Sequence, residues 1–231
     1  MSVALITGAS RGLGAALMHT LSAAGWTVVG VARGEDDLHA VVHRIRSSGG
    51  SAYAVVADVG EPGSAARIVG EAVAKAGPID LLVNNASTLG QTPLPLVLDL
   101  DEDNLRRILE VNTIAPLRLM RAAAGAMVLR GQGVIVNVSS DAATEPYPEW
   151  GGYGASKAAL DQLSNVLAAE LDGTGVRVIT IEPGDMDTAM HREALPDSDP
   201  ASLRRPADVA RAVLPLIVDA PSGRHAVEVT R

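Results

Sequence analysis

The sequence predicts an α/β fold, a doubly wound parallel sheet of about seven strands with helices on both faces. Seven short apolar runs, at 3–6, 27–32, 52–57, 81–83, 134–138, 176–181 and 226–229, alternate with helix-length stretches. The runs are apolar almost throughout rather than at every second position, the pattern of parallel strands buried on both faces. Polar residues then follow the runs, namely Thr7, Asp58, Asn84, Ser140 and Pro183. A parallel sheet places its ligand crevice at those carboxyl ends. With 231 residues and no linker or low-complexity segment, a single domain spanning 1–231 is expected.

The first run leads into Thr7-Gly-Ala-Ser-Arg-Gly-Leu-Gly14 and a helical stretch to about Gly25. Gly8, Gly12 and Gly14 let the backbone turn tightly, approach a pyrophosphate and pack the helix on the strand. The helix start turns its free N–H groups and positive dipole end toward phosphate, so Ser10, Arg11 and Leu13 are expected cofactor contacts with the glycines. The second run ends at Val31-Ala-Arg33-Gly34, with a cation where sites for the unphosphorylated dinucleotide place an acid. Arg33 and Arg11 together suit a 2′-phosphate. The alternative is that Glu35, Asp36 or Asp37 holds the ribose, although these acids also suit the start of the next helix.

Farther along, Leu105, Ile108 and Leu109 predict a helix with Asn112 late in it. From Tyr153, Leu160, Leu163, Leu167 and Leu171 follow helical spacing, and Gly173 and Gly175 supply a stop. Tyr153 and Lys157 are four apart, on one helix face. The chain has two lysines, Lys75 and Lys157, among 19 basic residues, so Lys at 157 suggests a compact point charge that arginine cannot imitate. Three of the five aromatic residues, Tyr147, Trp150 and Tyr153, cluster before and at this helix. They either stack on a planar or cyclic substrate or fill space beneath the loop. Met186, Met190 and His191 follow Pro183-Gly184, with His191 expected to face solvent. Asp197, Asp199, Arg204 and Arg205 read as a solvated loop before Pro206.

These motifs resemble the short-chain dehydrogenase/reductase family, of the single-domain TGxxxGxG/YxxxK type. The resemblance runs from Val3 to Thr188 through the glycine loop, Asp58-Val59, Asn84-Asn-Ala-Ser87, Val111-Asn112, Val136-Asn-Val-Ser-Ser140, Tyr153-Gly-Ala-Ser-Lys157 and Pro183-Gly-Asp-Met-Asp-Thr188. Ser87 replaces the family's usual Gly. The resemblance implies a Rossmann-like sheet and NADP(H) as cofactor. It implies cofactor contacts at Asp58, Val59, Asn85, Ala86, Pro183, Gly184, Met186 and Thr188 as well as Tyr153 and Lys157. Tyr153 would be the proton donor to a ketone or aldehyde reduced by hydride. Lys157 would lower the phenol pKa and hold the ribose. Ser140 would donate to the developing oxyanion, and Asn112 would position a water. The alternatives are a secondary-alcohol dehydrogenase and a non-catalytic dinucleotide sensor. A homodimer or homotetramer is also implied, although the segment ending at Arg231 lacks the family's usual Asp-Gly-Gly tail.

The resemblance implies a small-molecule carbonyl or alcohol as the partner, and composition agrees by what it excludes. A net charge of −8 argues against nucleic acid and membrane surfaces. No run approaches a membrane span, and Met1-Ser2 leads directly into the first strand, so a cytoplasmic location is expected. Without cysteine there is no disulfide, thiolate catalysis or Cys-ligated metal. His19, His39, His43, His191 and His225 show no metal-ligand spacing.

Overall fold

The computed structural model of the chain describes residues 2–229. Its strands are β1 (Val3–Thr7), β2 (Thr27–Ala32), β3 (Ala52–Val56), β4 (Leu81–Asn84), β5 (Gly133–Val138), β6 (Val176–Glu182) and β7 (Gly223–Ala226). They form one parallel sheet in the order β3-β2-β1-β4-β5-β6-β7. The order reverses between β1 and β4, so a crevice opens where these strands' carboxyl ends diverge.

The helices are α1 (Gly12–Ala23), α2 (Glu35–Ser47), α3 (Ser64–Ala76), α4 (Glu102–Leu109), α5 (Ala115–Arg130), α6 (Gly151–Glu170), α7 (Ala189–Ala194) and α8 (Pro206–Asp219). Alternation along β1 divides the core. Ala4 and Ile6 face α1, α2 and α8, while Val3 and Leu5 face α3, α5 and α6. Each fully buried leucine, such as Leu5 or Leu17, contributes roughly 1.5–3 kcal/mol through burial.

Four local expectations change. The last strand begins three residues before 226, because an edge strand pairs through backbone on one side only and tolerates Arg224 and His225. Val227, just beyond it, is the apolar residue that enters the core. On α6 only Leu160 of the four leucines is fully buried, and the polar Ser156, Asp161 and Ser164 share its inner face. Ser164 donates to the Leu160 carbonyl and accepts from Asn137, which in turn accepts from Asn84, so a buried polar relay ties α6 to β5 and β4. Arg204 is not solvated: its guanidinium donates to the carbonyls of Pro183 (2.9 Å) and Val227 (2.8 Å). Finally, the helix holding Asn112 continues as α5, through a π-helical turn at Glu110–Ile114. The tail's Thr230 and Arg231 lie outside the described residues.

Candidate active site

A cavity of about 880 Å³ follows the switch point across the carboxyl edge of the sheet. Its floor is the β1–α1 turn. Gly8 takes φ +66°, and a side chain on Gly14 would meet the Gly8 carbonyl oxygen at 2.2 Å, so the turn closes only without one. Gly8, Ser10, Arg11, Gly12 and Leu13 line the cavity, whereas Gly14 packs behind it. Thr7 locks the turn to β4: its hydroxyl accepts from the backbone N–H groups of Asn85 and Ala86, both at 3.0 Å, and the Asn85 side chain donates to the Thr7 carbonyl. Asn85 and Ala86 also line the cavity.

At one end of the cavity lie Arg11, Arg33, Asp58 and Val59. The Arg33 side chain is 70% exposed and stands 3.8 Å from the Asp58 carboxylate. Burial works to raise the Asp58 pKa, but the Gly60 N–H and the guanidiniums of Arg107 and Arg33 together hold it below the ordinary value. Asp37 also lines this end, so one of the three acids of the alternative ribose reading is near the site. Glu35, Asp36 and Asp37 form the first turn of α2, where their charge meets the helix dipole.

At the other end α6 presents Tyr153 and Lys157, 9% and 2% exposed. Burial pushes the phenol up to about 12, an effect that nearby Ser87 and Ser140 hydroxyls oppose and the Asp141 carboxylate reinforces. Burial also lowers Lys157 to about 8, against the opposing charge of Asp161. The ammonium donates to the Val138 carbonyl at 2.8 Å and lies 5.5 Å from the centroid of the Tyr153 ring. It sits over the ring, and the shift of the phenol comes from burial, the two serine hydroxyls and Asp141. One of its three donors is used, which leaves two for a ligand's hydroxyls.

Ser140 lines the cavity beside Tyr153, but its hydroxyl donates to Asp141 Oδ1 at 2.9 Å and accepts from the Ala142 N–H at 3.2 Å. Asn112, 0% exposed, lies behind the cavity. Its carboxamide oxygen accepts from Ser87 Oγ and Thr88 N, and its nitrogen donates to Thr88 O and Ser156 Oγ. Every donor and acceptor of that side chain is committed, so a water positioned by Asn112 would have to be held by its backbone. The side chain itself clamps the loop after β4 to α6. Pro183, Gly184, Met186 and Thr188 close the cavity from above, and the Thr188 hydroxyl caps α7 by accepting from His191 N.

This order of parts is that of a known family, and the short chain dehydrogenase family model matches residues 2–199. The chain belongs to the short-chain dehydrogenase family. It is 37% identical to a short chain dehydrogenase of Pseudocercospora fijiensis over 81% of this chain and 60% of that one. The chain therefore spans about three-fifths of that relative's length. It is 33% identical to the 3-oxoacyl-[acyl-carrier-protein] reductase of Escherichia coli, over 87% of this chain and 80% of that protein. Among solved structures, a metagenomic short-chain oxidoreductase in complex with NADP superposes with a TM-score of 0.85 at 33% identity, covering 100% of this chain and 98% of that one.

Within this family member, several site residues escaped the sequence reading. Arg107, from α4, reaches the cavity and donates to Asp58 Oδ2 at 2.8 Å; its partner is 49 residues away, so no local spacing marks it. Ser87 did carry a signal, as the one departure from the family's Asn-Asn-Ala-Gly segment. Arg224 of β7 pairs with Asp161 at 3.2 Å and donates to the Ser140 carbonyl, joining the sheet edge to α6. His191 is 10% exposed at its side chain and lines the cavity rather than facing solvent. Tyr147, Trp150 and Tyr153 all line the cavity, with the Trp150 and Tyr153 rings edge-to-face at 5.6 Å. Leu89, Met190 and Ala194 pack around them. The Trp150 and Tyr153 rings fill space beneath the loop, and all three rings line the cavity.

Proposed function

We propose that this chain is an NADPH-dependent oxidoreductase that reduces a ketone or aldehyde to an alcohol, acting as one domain across 1–231. The observation that supports this best is the pairing of buried Tyr153 and Lys157 at one end of a cavity whose other end carries Arg11 and Arg33. The donor set fits the cofactor. The β1–α1 turn offers backbone N–H groups to the pyrophosphate, Arg11 and Arg33 suit a 2′-phosphate, and Lys157 has donors left for the ribose. The remaining contacts would be Asp58, Val59, Asn85 and Ala86, with Pro183, Gly184, Met186 and Thr188 above.

When bound, the cofactor supplies hydride to the carbonyl carbon. Tyr153 gives its hydroxyl proton to the carbonyl oxygen as the C=O π pair becomes an O–H bond. A phenol at about 12 is protonated at neutral pH, and an alkoxide is a stronger base, so the transfer runs downhill. In the reverse direction the same group, as phenolate, would be the base, so the case for reduction rests on the Arg11 and Arg33 end of the cavity. Ser140 completes the oxyanion site by turning its hydroxyl from Asp141 toward the substrate. Asn112 holds the loop carrying Ser87 and Thr88 in place, and acts as a positioning residue.

The family resemblance and the composition extend the proposal to a cytoplasmic homodimer or homotetramer, which sedimentation of the purified chain would test. The decisive experiment is NADPH oxidation against a carbonyl panel, with Tyr153→Phe beside the wild type. Loss of turnover with cofactor binding retained supports the reductase; turnover undiminished in the variant refutes it.

A further inference from the structure

The substrate end of the cavity has a charge that a reductase of neutral ketones would avoid. Asp141 follows Ser140 directly and lines the cavity, where its carboxylate takes the Ser140 hydroxyl proton at 2.9 Å. It also accepts from the Tyr147 hydroxyl at 3.0 Å. A negative charge here repels the alkoxide that forms during reduction, and it occupies the hydroxyl that should stabilise that alkoxide. Asp141 also acts to raise the Tyr153 pKa, against the two serine hydroxyls.

Asp141 is not alone. Asp185, on the segment above, and Glu149, on the loop before α6, line the same end. Hydrogen bonding to Asp141 raises the Tyr147 pKa, with its charge, burial, Glu145 and Asp185 adding to the effect, so Asp141, Glu145 and Asp185 all act on one phenol. Apart from Lys157 and the imidazole of His191, the ionisable side chains lining this end are acids and phenols. A further, independent feature is His191 itself. Its side chain is 10% exposed, its Nδ1 is buried with no hydrogen-bond partner, and its Nε2 stands 3.7 Å from Asp185. With the ring proton on Nε2, toward the acid, Nδ1 is a buried acceptor without a partner. The rings of Tyr147 and Trp150 complete the wall of the cavity.

Beyond the donors of Ser140, Tyr153 and Lys157, carboxylates and aromatic faces dominate this wall. A protonated amine is its complement, because it carries only donors, neutralises the acids and is attracted to ring faces. We infer that the physiological substrate is an amine-bearing ketone, cationic at neutral pH, whose ammonium pairs with Asp141 and Asp185 while its carbonyl meets Tyr153. This rests on the reductase reading and names its substrate class. The pairing also resolves the conflict at Ser140. An ammonium on Asp141 takes over the carboxylate's lone pairs, releases the Ser140 hydroxyl to the carbonyl oxygen, and offsets the repulsion of the alkoxide.

The test compares three ketones with the same ring: 4-(dimethylamino)cyclohexanone, its neutral isostere 4-isopropylcyclohexanone, and the anion 4-oxocyclohexanecarboxylate. The wild type should reduce the cation with kcat/KM at least tenfold above the neutral ketone, and the anion should be the poorest. Asp141→Asn should collapse the cation-to-neutral ratio to below threefold, with Asp185→Asn giving a smaller fall in the same ratio. Binding provides a readout without turnover. In a Trp26→Phe background, Trp150 is the only tryptophan. Its fluorescence should respond to N,N-dimethylcyclohexylamine, which has no carbonyl, and the response should weaken at least tenfold in Asp141→Asn. Equal or better reduction of the neutral or anionic ketone overturns the amine inference and leaves the reductase standing. Amine binding that depends on Asp141, with none of the ketones reduced, supports the amine site and counts against the reductase. Absence of amine binding overturns the inference whatever the turnover.

Discussion

The two ends of the cavity are built from different materials. The end holding Arg11, Arg33 and Arg107 is cationic, open to solvent at its arginines, and rests on the backbone of the β1–α1 turn. At the other end Tyr153 and Lys157 are themselves buried, Tyr147, Glu149 and Asp185 stand exposed at the rim, and the lining comes from the loop after β5, α6 and the segment after β6. The difference has a physical origin. Phosphates are recognised through backbone N–H groups and surface guanidiniums, which work in water. Proton transfer needs groups whose pKa values are displaced, and burial is the main cause of displacement here. Substitutions at the two ends should therefore affect different measured quantities.

The largest effect should come from the buried end. Tyr153→Phe removes the proposed proton donor and little volume, so kcat should fall by about 10²–10⁴-fold, the usual contribution of a general acid. NADPH affinity, measured by fluorescence titration, should change less than threefold, because the phenol belongs to the chemical end. A large loss of affinity instead would mean that the two ends are not separable.

At the exposed end, Arg33→Glu should reverse the picture. The wild type should bind NADPH at least tenfold more tightly than NADH, about 1.4 kcal/mol or more. The variant should lose that preference while retaining kcat at saturating cofactor. Equal affinities of the wild type for the two cofactors would show that Asp37, which also lines this end, governs the ribose.

The contrast also explains what could be read in advance. The glycine turn, the strand ends and the Tyr153–Lys157 pair follow local rules of spacing, so the sheet and these parts of the cavity were legible from the chain, whereas Asp58, Asn85 and the contacts at Pro183, Gly184, Met186 and Thr188 came from the family resemblance. What was not legible depends on residues far apart. Arg107 meets Asp58 across 49 positions, and Arg224 meets Asp161 across 63. His191 becomes buried only because α7 folds back over the cavity. The π turn at Glu110–Ile114 has no local sequence signal of the kind that glycine gives a tight turn, and it carries Asn112 into contacts with Ser87, Thr88 and Ser156 that helical spacing does not reveal.

A third, intermediate effect concerns pH. Lys157 is lowered to about 8 by burial and supported by Asp161. If the charged ammonium is the working form, reduction should be constant below about pH 8 and fall above it. Removing Asp161 takes away a charge that raises the Lys157 pKa, so Asp161→Asn should move the falling limb to lower pH. Arg224→Gln leaves Asp161 without its cationic partner and should move the limb the other way. Shifts of the same sign in both variants would contradict this electrostatic account.

The smallest effect should be at Ser87, where the chain departs from its family. Its single hydroxyl proton goes to Asn112 Oδ1 at 3.1 Å, and turned to the Tyr153 oxygen instead it lowers the phenol pKa. Ser87→Gly removes both effects, although Thr88 N still occupies the Asn112 oxygen at 2.8 Å. The loop should therefore hold its position, so KM for NADPH should be unchanged. With one opposing hydroxyl gone, the phenol pKa should rise further, and kcat should fall by a few-fold, about the worth of one neutral hydrogen bond. The same substitution separates two roles for Ser87. A fall in kcat alone marks a group acting on Tyr153, whereas a matching rise in KM would mark a spacer that only holds the loop.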